Sequence, residues 1–314
     1  MGSRQSWRDC RFAHKGVETY MIARKYTLAY LFLLPAVALL AAFYIYPVLT
    51  SVVRSFTDWN GFDAGFLWVG WGNYKNVFGD HHFWAATGRT LRFAFVTTIV
   101  QTILGFLLAF FIYTLVSDRW RKLMRVAVYI PVILPGAVVS LLWSNLLSPN
   151  FGLVNEVLRA IGLEAWARGW LGSTETAMNT LMIVNTWKFI GMTITFYIVA
   201  MLAIPKDLIE SAKMDGAGSG TLLWHIFRPL LKGITEVNFI LSLIGGLKAF
   251  DLIYMMTGGG PGDSTTVLGI MIYRRAFLSF RFGEAITMGI ILFIVILTLT
   301  LISRRLIASR EDEQ

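Results

Sequence analysis

The sequence predicts an all-α, polytopic membrane protein with about six transmembrane helices. Three observations lead there. Hydrophobic residues make up 56% of the 314 and charged residues 15%, against about a quarter charged in ordinary soluble domains. Mean hydropathy is +0.61. Apolar windows of about 20 residues, the length a helix needs to cross a bilayer, recur along the chain. The formal net charge of +9 is spread over loops rather than gathered on one surface. That distribution points to lipid headgroups and membrane orientation, and away from nucleic acid. The single cysteine, Cys10, lies in a terminal tail, so an intrachain disulfide is excluded.

Residues 1–25 form a polar, basic tail, within which Met21 offers a second translation start. The apolar run Thr27 to Val53 is too long for a signal-peptide core and lacks a convincing cleavage site, so it reads as a retained span. Its Pro35 and Pro47 are tolerated where neighbouring helices satisfy the freed carbonyls. Ser55 to Thr90 is polar and aromatic, and Trp59, Trp71 and Tyr74 suit anchors at the membrane interface. Further spans are expected at about Leu91–Leu115, Val126–Leu147, Met178–Ala203, Ile234–Met256 and Ala285–Ile302. The transmembrane unit thus covers residues 26–306, with a short tail at 307–314. Lys and Arg are roughly twice as frequent on the side that holds both termini, the Arg119–Arg125 segment and the Lys206–Lys232 segment. Both termini, and both tails, are therefore expected in the cytoplasm.

A polar insert, Ile204 to Gly220, interrupts the apolar pattern. Asp207 with Glu210 three residues on has the spacing of a capping box. Leu208, Ile209 and Ala212 fall on one side of a short helix, and Lys213 sits where the helix dipole favours a cation. Gly216, Gly218 and Gly220 are expected to stop it. Leu222, Leu223, Ile226, Phe227, Leu230 and Leu231 then give a second amphipathic stretch. This spacing fits a docking knob for another protein, and equally a connector lying on the membrane surface.

The wording of the insert resembles the EAA signature of the integral membrane subunits of binding-protein-dependent ABC importers. Glu210, Ala212, Gly216, Ile226 and Pro229 match it; Ser211 and Arg228 depart from it. The likeness extends to the carbohydrate-uptake branch, maltose- and glycerol-phosphate-permease-like, at Phe32–Pro35, Gly70–Tyr74 and Arg125–Pro131 with Pro135. It continues at Phe151–Asn155, Lys248–Leu252 and Thr257–Gly262. The resemblance implies a type I ABC importer permease fold in a bacterial inner membrane. Residues 207–219 would be a coupling helix, with Asp207, Glu210, Ala212, Asp215, Gly216 and Pro229 as its coupling positions. It further implies two separate ATPase subunits that bind the ATP, a second homologous permease or second copy, and an extracytoplasmic solute-binding protein. The implied cargo is a sugar, oligosaccharide, polyol or glycerol-phosphate compound.

The remaining chemistry is sparse. The run Gly258–Gly262 lacks the lysine and Ser/Thr that complete a phosphate-binding P-loop, and no such motif occurs elsewhere, so the chain needs no cofactor of its own. His81 and His82 are adjacent, too close for good two-point chelation on a regular element. His14 and His225 are isolated, and no nucleophile–base grouping supports an enzyme. Ionisable residues at bilayer depth are costly and mark interior or watery faces; Lys188, Glu236, Lys248 and Asp251 qualify. Lys188 falls about 15 Å inward from the outer end of the fourth span, and Lys248 and Asp251 roughly 8 to 12 Å inward on the fifth. Lys248 and Asp251 are three apart and expected on one helical face, where they can pair. Lys188, with Asn185, Trp187 and Tyr197, is the candidate wall of a solute path, since sugars present both hydroxyls and apolar ring faces. Asn185 and Lys188 share a helical face, Tyr197 lies further inward on it, and Trp187 is offset. The principal alternative is an ion-coupled secondary transporter, which should show repeats and broken spans around a midplane ion site.

Overall fold

The computed structural model describes residues 32–63 and 65–308. The basic tail with Cys10, His14 and Met21, the first residues of the Thr27–Val53 run, and residues 309–314 lie outside that range.

Thirteen helices among the described residues set the architecture. They are α1 (Phe32–Arg54), α2 (Gly72–Gly79), α3 (His81–Leu115), α4 (Asp118–Ile133), α5 (Gly136–Leu146) and α6 (Leu153–Ala160). Next come α7 (Ala177–Leu202), α8 (Lys206–Met214), α9 (Ser219–Leu230), α10 (Lys232–Leu247), α11 (Asp251–Thr257), α12 (Leu268–Tyr273) and α13 (Phe282–Ala308). The only extended pairing among the described residues is one isolated bridge, Thr57 to Trp68. Four helices, α1, α3, α7 and α13, are long and apolar enough to cross a membrane. The pairs α4–α5 and α9–α10 bring the number to six if each bent pair is one span.

Breaks in the helices correct two expected boundaries. Val126–Leu147 is not one straight span, because α4 and α5 meet at 96°. Leu134 precedes Pro135, and the proline ring drives it into extended backbone (φ −64°, ψ 135°), which no helix can pass through. The expected Ile234–Met256 span also ends early. The α10 helix stops at Leu247, Phe250 takes φ −143° and ψ −64°, and α11 starts afresh at Asp251. Prolines elsewhere are absorbed. Pro47 follows a π-helical turn at Ala41–Ile45, and Pro229 follows one at Leu222–Phe227. Widening the preceding turn relieves the clash between a proline ring and the carbonyl four residues back.

The long α3 is the spine: it packs along α7 and α10, while α4 packs on α7 and α11 on α5. At about 52 Å it exceeds the roughly 30 Å hydrocarbon layer, so its first turns, capped by Asp80 on the His82 amide (2.9 Å), project beyond it. Two buried clusters lie at opposite ends. One joins Phe93, Val139, Met178, Leu181, Val184, Ile253 and Ile270. The other joins Phe110, Ile194, Tyr197, Ile198 and Met201 to Ile209, Leu222, Phe227 and Leu231 of the insert. Close approach needs small residues: a Cβ at Gly191 of α7 would collide with the Val128 carbonyl of α4. By contrast, among the described residues none of the apolar window of α1 is buried.

Candidate coupling element and solute path

The insert folds into α8, a nine-residue helix held by one face. Ile209 is 8% exposed and docks into the cluster with Phe227 and Leu231, with Ala212 and Ala217 packed beside it. Leu208 and Met214, 45% and 88% exposed, face away, as do Asp207, Glu210 and Lys213. Leu208 therefore does not share the anchored side expected for it. The capping box is likewise not formed. Pro205 occupies the N-cap position and Asp207 lies inside the first turn, without a side-chain bond to the backbone. Asp207 and Lys213 still sit at the ends that suit their charges.

The far end of α8 is a Schellman turn. The Gly216 amide donates to the Lys213 carbonyl (3.0 Å) and the Ala217 amide to the Ala212 carbonyl (2.9 Å), around Asp215 as C-cap. Gly216 takes φ +83°, the left-handed conformation glycine adopts without Cβ strain. Gly218 and Gly220 play no such part: Gly218 is the extended N-cap of α9 and Gly220 lies inside that helix. Pro229 is exposed near the end of α9, just before the 72° bend into α10. Tyr197 and Thr235 tie α7 across that bend, with a 3.1 Å bond between their hydroxyls, and Thr235 donates to the Leu231 carbonyl (2.8 Å). An element fixed on one face, charged on the other and joined to two spans can transmit a push.

The candidate path residues divide. Asn185 and Lys188 are buried in the chain, at 8% and 7% exposure. The Lys188 ammonium lies 5.0 Å from the Phe189 ring centroid. The break between α4 and α5 brings Lys188 and Asp251 together: Lys188 Nζ lies 3.5 Å, and Asp251 Oδ2 3.8 Å, from where a Cβ on Gly136 would stand. Gly136 thus leaves room for both charges at the mouth of the bent span. Trp187 packs edge-on against Trp143 of α5, ring centroids 5.4 Å apart. Tyr197 is elsewhere, wholly buried beside Phe106 in the cluster next to α8. Lys248 caps α10 and is exposed; the break at Phe250 separates it from Asp251, so the expected pair on one helical face does not exist. Gly136 and Trp143 were not singled out by sequence reasoning, although Pro131 and Pro135 flank the bend that positions them.

On the side away from α8, the glycine run is a tightly tied loop. Arg274 donates to Asp263 (2.7 Å) and to the Gly258 carbonyl (2.7 Å), and Thr265 donates to the Gly260 carbonyl (2.8 Å). Arg274, hydrogen-bonded to the Asp263 carboxyl, holds it below the usual carboxylate range, with help from the Thr266 hydroxyl. Nearby, the ligand atoms of Asp80, His81 and His82 all lie within 4.8 Å of one another, closer to chelating geometry than their adjacency suggests. Asp80, however, is already engaged by Arg275 and by the His82 amide.

The chain's similarities agree with this geometry. The family described as binding-protein-dependent transport system inner membrane component matches residues 101–312. A probable ABC transporter permease of Bacillus subtilis is 31% identical over 293 residues, covering 93% of this chain and 100% of the relative. A multiple sugar-binding transport system permease of Streptococcus mutans is 32% identical, over 84% and 90% of the two chains. A chain from the crystal structure of a bacterial ABC transporter that imports the acidic polysaccharide alginate superposes with TM-score 0.80 at 25% identity, covering 93% of this chain and 99% of that one. The polar insert, the bent spans and these similarities converge: the chain belongs to the family of inner membrane components of binding-protein-dependent transport systems.

Proposed function

We propose that this permease serves an ATP-driven importer of a sugar, oligosaccharide or related polyol, with α8 as the lever that receives force from a separate ATPase. The observation that carries the proposal is the construction of α8: anchored through Ile209, stopped by Gly216, and presenting Asp207, Glu210, Lys213 and Met214 outward. The uneven Lys and Arg distribution supports placing that element and both termini in the cytoplasm. ATPase closure would push α8, the α9–α10 bend and the Tyr197–Thr235 tie would pass the displacement to α7 and α10, and the bundle would change which side it opens to. Solute-loaded binding protein and ATP would then favour the same state, because linkage is reciprocal. A second homologous permease or a second copy would complete the bundle. The relative from Streptococcus mutans, described as multiple sugar-binding, and one from Thermococcus litoralis, described as a trehalose/maltose permease, support a carbohydrate cargo. Trp187 against Trp143, and separately Lys188 with Asp251 at the Gly136 break, supply aromatic and polar groups of the kinds such a cargo needs.

The test is a reconstituted complex carrying Glu210→Lys or Gly216→Pro. Both variants should insert normally and lose the stimulation of ATP hydrolysis by loaded binding protein. Proline fixes φ near −65°, incompatible with +83° at residue 216. Full stimulation in both variants would remove the lever from the account.

A further inference from the structure

A cleft of about 270 Å³ opens at the α8 end of the bundle, where α3, α4, α7 and α8 converge. Its rim carries Arg121, Lys122 and Arg125 from α4 and Lys206 from α8, with Asp118 the one carboxylate; Ile198 and Leu202 supply an apolar wall. Asp118 is already committed to Arg121 (2.8 Å), whose other terminal nitrogen donates to the Tyr113 and Val116 carbonyls (2.7 and 2.9 Å). The Arg121 Nε remains buried without a hydrogen-bond partner. Among the described residues, no carboxylate lies within the 4.0 Å ion-pair distance of Lys122, Arg125 or Lys206.

Among the described residues, these three cations around one small cleft have no carboxylate partner, and together they make a site that attracts an anion. The apolar wall belongs to the last turns of α7, so an anion that carries hydrocarbon of its own would match both the charged and the apolar side of the cleft. We propose that this cleft holds the phosphodiester headgroup of an anionic phospholipid. The phosphate lies among Lys122, Arg125 and Lys206, and the glycerol end lies along Ile198 and Leu202. Bound there, the lipid bridges α4 to the root of α8 and makes the position of the lever sensitive to membrane charge. Basic pockets between spans on the charged leaflet are suited to such headgroups.

Binding of phosphatidylglycerol to the purified full chain, read by native mass spectrometry against phosphatidylcholine, tests this. Each cation near an anionic surface contributes about fivefold in binding, so Lys122→Gln with Arg125→Gln should weaken phosphatidylglycerol about 25-fold. The charge-keeping pair Lys122→Arg with Arg125→Lys should bind as the parent does. Neutralising Arg304 and Arg305, exposed cations that do not line the cleft, should change little. Millimolar inorganic phosphate should not displace the lipid. Equal binding of the two lipids by the parent chain overturns the proposal, even if the neutralised pair fails to insert. So does an equal loss in the Arg304/Arg305 pair, which would mean diffuse surface charge. Displacement by inorganic phosphate would mean that a soluble anion, not a lipid, occupies the cleft.

Discussion

At the residue scale, a few groups have surroundings that leave little choice. Gly216 ends α8 at φ +83°. Alanine there should cost about 1 kcal/mol by forcing a Cβ into left-handed backbone, a small loss in thermal stability that leaves transport measurable. Lys188 is buried beside Gly136, with Asp251 at the same break. Lys188→Met should reduce solute uptake at least tenfold while the chain still reaches the membrane; uptake at the parent rate would take Lys188 off the path. Asp263 is held by Arg274 in the loop opposite α8, with its carboxyl favoured in the ionised form. A carboxylate depressed on folding stabilises the fold above its unfolded range and loses that contribution as pH falls through its lower folded value. The loop should therefore be indifferent to pH near neutrality and loosen as pH falls below the ordinary carboxylate range. Amide exchange at Thr265 and Thr266 reads this directly, and Asp263→Asn should abolish the acid dependence.

At the scale of elements, much was legible and the exceptions have physical causes. Apolar run length located the spans because a bilayer demands it, and Gly216 was readable as a stop because helix ends need a left-handed residue. The capping box failed because Pro205 starts the helix two residues earlier, leaving Asp207 inside the first turn. Lys248 and Asp251 looked paired only on the assumption of a continuous helix; nothing local in Leu247–Phe250 announces the break. The other break lies at Pro135, which holds Leu134 in extended backbone, whereas apolar run length alone placed a single span at Val126–Leu147. Tyr197 was assigned to the path by its helical face, whereas tertiary packing against Phe106 and Thr235 buries it near α8. Helix crossing makes its own prediction. Gly191→Leu would drive a side chain into the Val128 carbonyl, and overpacking of this kind costs about 1–3 kcal/mol or more. The detergent-solubilised chain should melt several degrees lower, and an unchanged melting temperature would mean that α4 and α7 do not touch there.

At the scale of the whole molecule, one end gathers the insert, its anchoring cluster and the basic cleft. The other carries the tied glycine loop and the Arg275–Asp80–Glu284 network. The bend at Leu134–Pro135 and the break at Phe250 place charged and aromatic side chains beside interrupted helices. Broken spans are also a mark of secondary transporters, so energy source, rather than shape, separates the two mechanisms. The decisive measurement is solute accumulation in sealed vesicles, with the full chain alone or assembled with its ATPase and binding protein, under an ion gradient or under ATP. The account predicts accumulation only in the assembled system with ATP. Accumulation by the chain alone, driven by a proton or sodium gradient, would contradict it.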